Sequence, residues 1–117
     1  MSTERRAGSH GNSMALGLLE TRGLSAAFHG ADAMCKAASV RIVRVERVGS
    51  AYITVLIMGD VGAVNAALGA GAQAAATIGH VVAAHVIARP NEELVETFGL
   101  HLLERSDGVT PAPGGAR

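Results

Sequence analysis

The sequence is poor in the residues that anchor most small domains. Its 117 residues include no tryptophan, one tyrosine, two phenylalanines and one cysteine. The lone Cys35 excludes an intramolecular disulfide, and an aromatic content of 3% excludes a core built on large rings. An excess of one charge sign is missing as well, because ten basic residues balance ten acidic ones. Neither the basic footprint of a nucleic-acid binder nor attraction to an anionic membrane is therefore expected. The chain opens without a signal-peptide pattern, which together with the single cysteine points to the cytosol. The longest uncharged stretch, Val61 to Ala88, is long enough to cross a bilayer. However, it is dominated by alanine and glycine, carries Asn65, Gln73, His80 and His85, and changes period from about 3.6 to 2. That change describes a helix followed by a strand.

What the sequence does contain is small apolar residues. Hydrophobic residues make up 49% of the chain and there are fifteen glycines, so backbones are expected to approach one another closely. The length suits one domain. Residues 1–13 are polar and aperiodic and are expected to be a disordered tail. Residues 106–117, with Pro111, Pro113 and Gly114-Gly115, read the same way, leaving 14–105 as the domain.

Within that domain Met14 to Leu19 reads as a strand. Leu24, Ala27, Phe28, Ala31, Met34, Cys35 and Ala38 recur at helical spacing and predict the buried stripe of an amphipathic helix, with Ser25, His29, Asp32 and Lys36 opposite. Arg41 to Val48 alternates as a strand, with Val43 and Val45 on one side and Arg44 and Glu46 on the other. Tyr52 to Met58 is β-branched and apolar, as a central strand is. Between these two strands Gly49-Ser50-Ala51 marks a hairpin turn, with Gly49 expected to hold a positive φ. Asp60 is expected to cap a second helix whose buried stripe is Val61, Val64, Leu68, Ala72, Ala75 and Ile78, and which stops at Gly79. His80 to Ala88 is the fourth strand. Pro90-Asn91, followed by Glu92 and Glu93, opens a short third helix whose acidic first turn suits the helix dipole.

The order predicts an α+β fold: a ferredoxin-like βαββαβ domain with a four-stranded antiparallel sheet, helices on one face and a short C-terminal helix. The other face, with Tyr52 and Leu56, looks too apolar to be left wet and is expected to be covered by a neighbour.

No catalytic constellation emerges. His80 and His85 are an odd number of positions apart, which on one regular strand places them on opposite faces and prevents a shared metal. Gly59-Asp60-Val61-Gly62 fits neither phosphate-loop pattern, and an aspartate at the helix start repels phosphate. Ser50 lacks a nucleophile-elbow context, and Cys35 on the buried stripe reads as a structural thiol. No catalytic residue, metal or cofactor is expected.

Several ordered blocks resemble the hexamer-forming shell proteins of bacterial microcompartments, single BMC-domain proteins. They are Ala15 to Leu24 (ALGLLETRGL), Ala31 to Val40 (ADAMCKAASV), Glu46 to Ser50 (ERVGS), Gly59 to Val64 (GDVGAV) with Gly71-Ala72, and His85 to Pro90 (HVIARP). The second-helix block looks closer to propanediol- and ethanolamine-type metabolosome shells than to carboxysome ones. The resemblance implies a structural protein of the microcompartment shell in the bacterial cytoplasm. It implies self-association into cyclic hexamers that tile edge to edge, with other shell proteins, encapsulated enzymes and small polar metabolites as partners. It further implies that Gly49, Ser50 and Ala51 line a central pore flanked by Arg47 and Tyr52, and that Lys36, Arg89 and Asn91 lie at the hexamer edge. Ala51 replaces a glycine common among relatives, and Asn91 a residue often histidine. On the residues alone, a ferredoxin-like regulatory or small-ligand-binding oligomeric domain is the alternative.

Overall fold

The computed structural model describes residues 14–98, and the two expected tails and the domain's extension to residue 105 lie outside the described residues. The elements are β1 (Met14–Arg22), α1 (Leu24–Ala37), β2 (Arg41–Val48), β3 (Tyr52–Asp60), α2 (Val61–Ala76), β4 (His80–Ala88) and α3 (Glu92–Phe98). The strands form one antiparallel sheet in the order β2-β3-β1-β4, so β2 and β4 are its edges. This is the predicted βαββαβ architecture. β1 runs three residues further than expected, because Glu20, Thr21 and Arg22 continue the ladder against β3. Thr21, one residue before the end of the strand, is buried, and its hydroxyl donates to the Gly23 carbonyl at 3.2 Å, so it is not left as an unsatisfied buried polar group.

The main core lies between α1, α2 and one sheet face. Ala15, Leu19, Ile53, Val55 and Ile57 meet Ala27, Met34, Val64, Ala67 and Leu68 there. The two long helices approach closely because each places a glycine at the crossing. A Cβ on Gly71 would lie 2.4 Å from Met34 Cγ and 3.0 Å from the Gly30 carbonyl oxygen, and one on Gly30 would lie 3.1 Å from the Gly71 carbonyl oxygen.

This crossing shifts both predicted helix stripes. α1 buries Ala26, Ala27, Gly30 and Met34, whereas Leu24 and Phe28 are 44% and 67% exposed and Cys35 is exposed. α2 buries Val64, Ala67, Leu68, Gly71 and Ala75, while Val61 and Ile78 remain exposed. The sequence pattern weights the large side chains, but the tight helix pair buries mostly small ones at its seam, with Met34 laid across Gly71. α2 stops at Ala76, before Gly79, whose φ is not positive; a Cβ on Gly79 would instead lie 2.7 Å from Ala26 Cβ. Asp60 occupies the N-cap position of α2 with extended backbone but makes no side-chain cap hydrogen bond.

Part of the second sheet face, the face expected to be covered by a neighbour, is covered from within the chain. Leu16, Leu56 and Met58 form a smaller cluster against Val43 and against Leu94 and Val95 of α3. Leu56 is only 5% exposed as a result. The long helices thus share one face and α3 sits on the other, over the half near Met14.

Two irregularities decide which side chains point where. The β2–β3 register shifts between Ile42 and Arg44, leaving Val43 as an extra residue; Val45 then opposes Val55 on the helix face while Val43 packs on the other. The expected shared face of Val43 and Val45 is lost to this bulge, since one inserted residue reverses the alternation. The β1–β4 register shifts likewise between Glu20 and Thr21, leaving Val82 unmatched.

The glycine crossing makes a paired prediction. Gly71→Ala should destabilise the fold by about 1–3 kcal/mol through overpacking. Gly69→Ala, where a Cβ meets nothing within 4 Å, should be neutral or stabilise by up to ~1 kcal/mol through its helix preference. Urea unfolding midpoints of the two variants would measure both.

Candidate functional site

The β2–β3 hairpin closes through Gly49, Ser50 and Ala51. Gly49 has φ +66, as expected, and Ser50 is exposed at the tip. The turn is tied to the domain: the Gly23 N–H donates to the Ala51 carbonyl at 2.7 Å, joining it to the start of α1. The two residues expected to flank it diverge. Arg47 opposes Ile53 on the helix face, whereas Tyr52 opposes both Val48 and Arg22 on the other face. Both are exposed.

Lys36, Arg89 and Asn91 lie at the far end of the sheet. α1 starts beside the hairpin and runs back along β1, ending at Ala37, and the chain then enters β2 beside Gly59. Lys36 is 76% exposed by side chain and pairs with Asp32 one turn earlier at 2.9 Å. Arg89 follows β4, and its N–H donates to the Met14 carbonyl at 3.1 Å. It has φ +52, the one non-glycine residue with positive φ among the described residues. Strands of nine residues separate these groups from the turn by about 30 Å at ~3.3 Å per residue.

Asn91 has a local role that the edge reading does not include. Its Oδ1 accepts the Glu93 N–H at 2.7 Å, and its carbonyl accepts the Val95 N–H at 3.1 Å. It is the N-cap of α3, and the string Asn91-Glu92-Glu93 carried that signal.

The bulge at Val82 also revises the histidine argument. His80 opposes Arg22 and His85 opposes Leu18, so both point to the face away from the long helices. Four register positions still separate them by about 13 Å, too far for one metal. Among the described residues no group of three His, Cys, Asp or Glu side chains is placed to hold a metal ion, and no helix is long and apolar enough to cross a membrane.

Comparison with known proteins bears on the whole arrangement. The family model described as "BMC domain" matches residues 15–90. The chain is 54% identical over 88 residues to the carboxysome shell protein CsoS1C of Hydrogenovibrio crunogenus, covering 74% of this chain and 86% of that protein. It is 54% identical over 87 residues to the carboxysome shell protein CsoS1 of Prochlorococcus marinus, covering 74% and 84%. It is 57% identical over 82 residues to CsoS1A of Hydrogenovibrio crunogenus, covering 69% and 85%. Among solved structures, a microcompartment protein from Desulfitobacterium hafniense DCB superposes with a TM-score of 0.66 at 27% identity. That match covers 85% of this chain but spans only about half (49%) of the other. These relatives correct the metabolosome leaning, since long matches to carboxysome shell proteins outweigh Gly59 to Val64. That block is short, and it consists of an N-cap acid and small residues that serve any helix start in such a position.

Asn91→Ala should cost about 1 kcal/mol of α3 stability. Hydrogen exchange should show faster amides over Leu94 to Thr97 with the β1–β3 ladder unchanged, and Asn91→Asp should restore protection.

Proposed function

The chain belongs to the BMC-domain family, and from that premise we propose that its copies close into cyclic hexamers with the Gly49-Ser50-Ala51 turns ringing a central opening. It is a structural shell protein of a bacterial microcompartment in the bacterial cytoplasm, and not an enzyme. The match over residues 15–90 carries this conclusion and sets aside the regulatory-domain alternative. The likeness to carboxysome shell proteins at 54–57% identity supports the carboxysome as its compartment.

Exposed apolar groups support burial by further copies. Ile42, Val45 and Val48 on edge strand β2, and Leu24 and Phe28 on α1, are all exposed in the single chain. A bare edge strand with apolar side chains invites pairing or covering. At the ring centre, turn N–H groups and Ser50 hydroxyls would favour polar or anionic solutes over apolar ones, with Arg47 adding a positive field that salt weakens. The far end, with Lys36 and Arg89, would meet its counterpart on the next hexamer. Lys36 would lay its stem along the neighbour, and Arg89 would present a planar donor to carbonyls.

Native mass spectrometry should give a hexamer, and negative-stain microscopy should give discs that assemble into sheets, tubes or closed bodies. A monomer or dimer under the same conditions would contradict the ring. Lys36→Ala and Arg89→Ala should abolish sheets while leaving discs intact; loss of the disc itself would remove these residues from the outer edge. In intact shells, Ser50→Leu should slow entry of a polar metabolite, and unchanged flux would exclude Ser50 from the opening.

A further inference from the structure

Next to the hairpin, the sheet register gathers three hydrogen-bond donors into one cross-strand row. Arg22 of β1 opposes Tyr52 of β3 on one side and His80 of β4 on the other. Directly opposed residues share a face, with Cβ atoms about 4.5–5.5 Å apart, so the phenol, guanidinium and imidazole stand side by side. All three are exposed. α3 covers only the half of this face around Leu16, Leu56 and Met58, which leaves the row open.

His80 reaches this row only because of the bulge at Val82. Without the extra residue, regular alternation would turn His80 away from the face that carries His85. The bulge interrupts the ladder and leaves Val82 half exposed, and its consequence is to set an imidazole beside Arg22. Bulges that re-aim a side chain recur next to functional sites.

The row also lacks a paired carboxylate among the described residues. None of the three side chains has a hydrogen-bond or ion-pair partner among the described residues. The nearby charges on this face are Glu20, Glu46, Arg44 and His85, and Glu46 is already paired with Arg44 at 3.1 Å. Glu20 lies two residues before Arg22 on the same face but forms no ion pair with it. The exposed Arg22 guanidinium has no ion-pair partner among the described residues of this face, and an anion seated beside it supplies one. A guanidinium fork matches a planar pair of oxygens, and a flanking phenol and imidazole add single donors.

We propose that Tyr52, Arg22 and His80 form a binding row for a small planar oxyanion, a carboxylate or hydrogencarbonate, beside the hairpin turn. The row lies within one chain and stands whether or not the hexamer reading holds.

Tyr52 is the chain's single tyrosine, so its ring signals report on the row without an assignment problem. The full-length protein, labelled with [13C]tyrosine, is titrated with sodium hydrogencarbonate, sodium acetate or sodium phosphate at constant ionic strength set by sodium chloride. The expected result is a saturable ring shift with hydrogencarbonate or acetate and a weaker response to phosphate. Arg22→Gln should weaken it by about tenfold, the loss of one charge-assisted contact, and Arg22→Lys by less. His85→Gln, four register positions away, should leave it unchanged. Since Arg22 adjoins the turn into α1, His80→Gln gives a second measure and should also weaken binding with an unchanged melting temperature. A shift that follows ionic strength alone, or one equally strong in Arg22→Gln and His80→Gln, would overturn the proposal, as would tighter binding of phosphate than of both planar anions.

Discussion

The close crossing of α1 and α2 at Gly30 and Gly71 is the contact on which the rest of the domain rests. With no Cβ on either side, the helices come near enough for Met34 to lie across the seam and for both to rest on the same sheet face. A helix seam built largely of alanine and glycine gains less per side chain than one of leucine and phenylalanine, because less apolar area leaves water. It compensates by dense contact between backbones, where dispersion is summed over many short distances. The same economy pushes the large residues Leu24, Phe28 and Ile78 outward, where a second copy of the chain can cover them.

That geometry gives the domain two well-separated ends. One carries the Gly49-Ser50-Ala51 turn, held by the hydrogen bond from Gly23 to Ala51. The other carries Lys36 and Arg89, with Arg89 held in a left-handed backbone at the close of β4. An antiparallel layer of eight- and nine-residue strands separates them, so contacts around a proposed ring centre and contacts along its rim need not interfere. In the proposed ring, this separation would allow the opening and the seam to be altered independently.

The family was legible in the sequence because its marks are short strings with local meaning. Gly49 had to accept a positive φ, and the order of periodicities allowed few topologies. The subfamily was not legible from one block at the start of α2, because an acid followed by small residues meets a requirement common to many helix starts. Exposure of Cys35 was missed for a related reason: helical spacing defines a broad apolar sector, and only the position of the second helix decides which third of it is buried. Asn91 was read for its place in a family motif, although its neighbours Glu92 and Glu93 already indicated a cap.

By itself, then, the sequence determined the element order, the hairpin turn, the absence of a disulfide and the family resemblance. These depend on composition and on neighbours within a few residues. Only the tertiary structure decided the faces. The unmatched Val43 and Val82 each reverse the alternation of an edge strand, sending Val45 to the helix side and bringing His80 and His85 to the same side. Such a bulge arises from pairing with a strand distant in the chain, and that pairing leaves no mark in the periodicity of the strand that carries it.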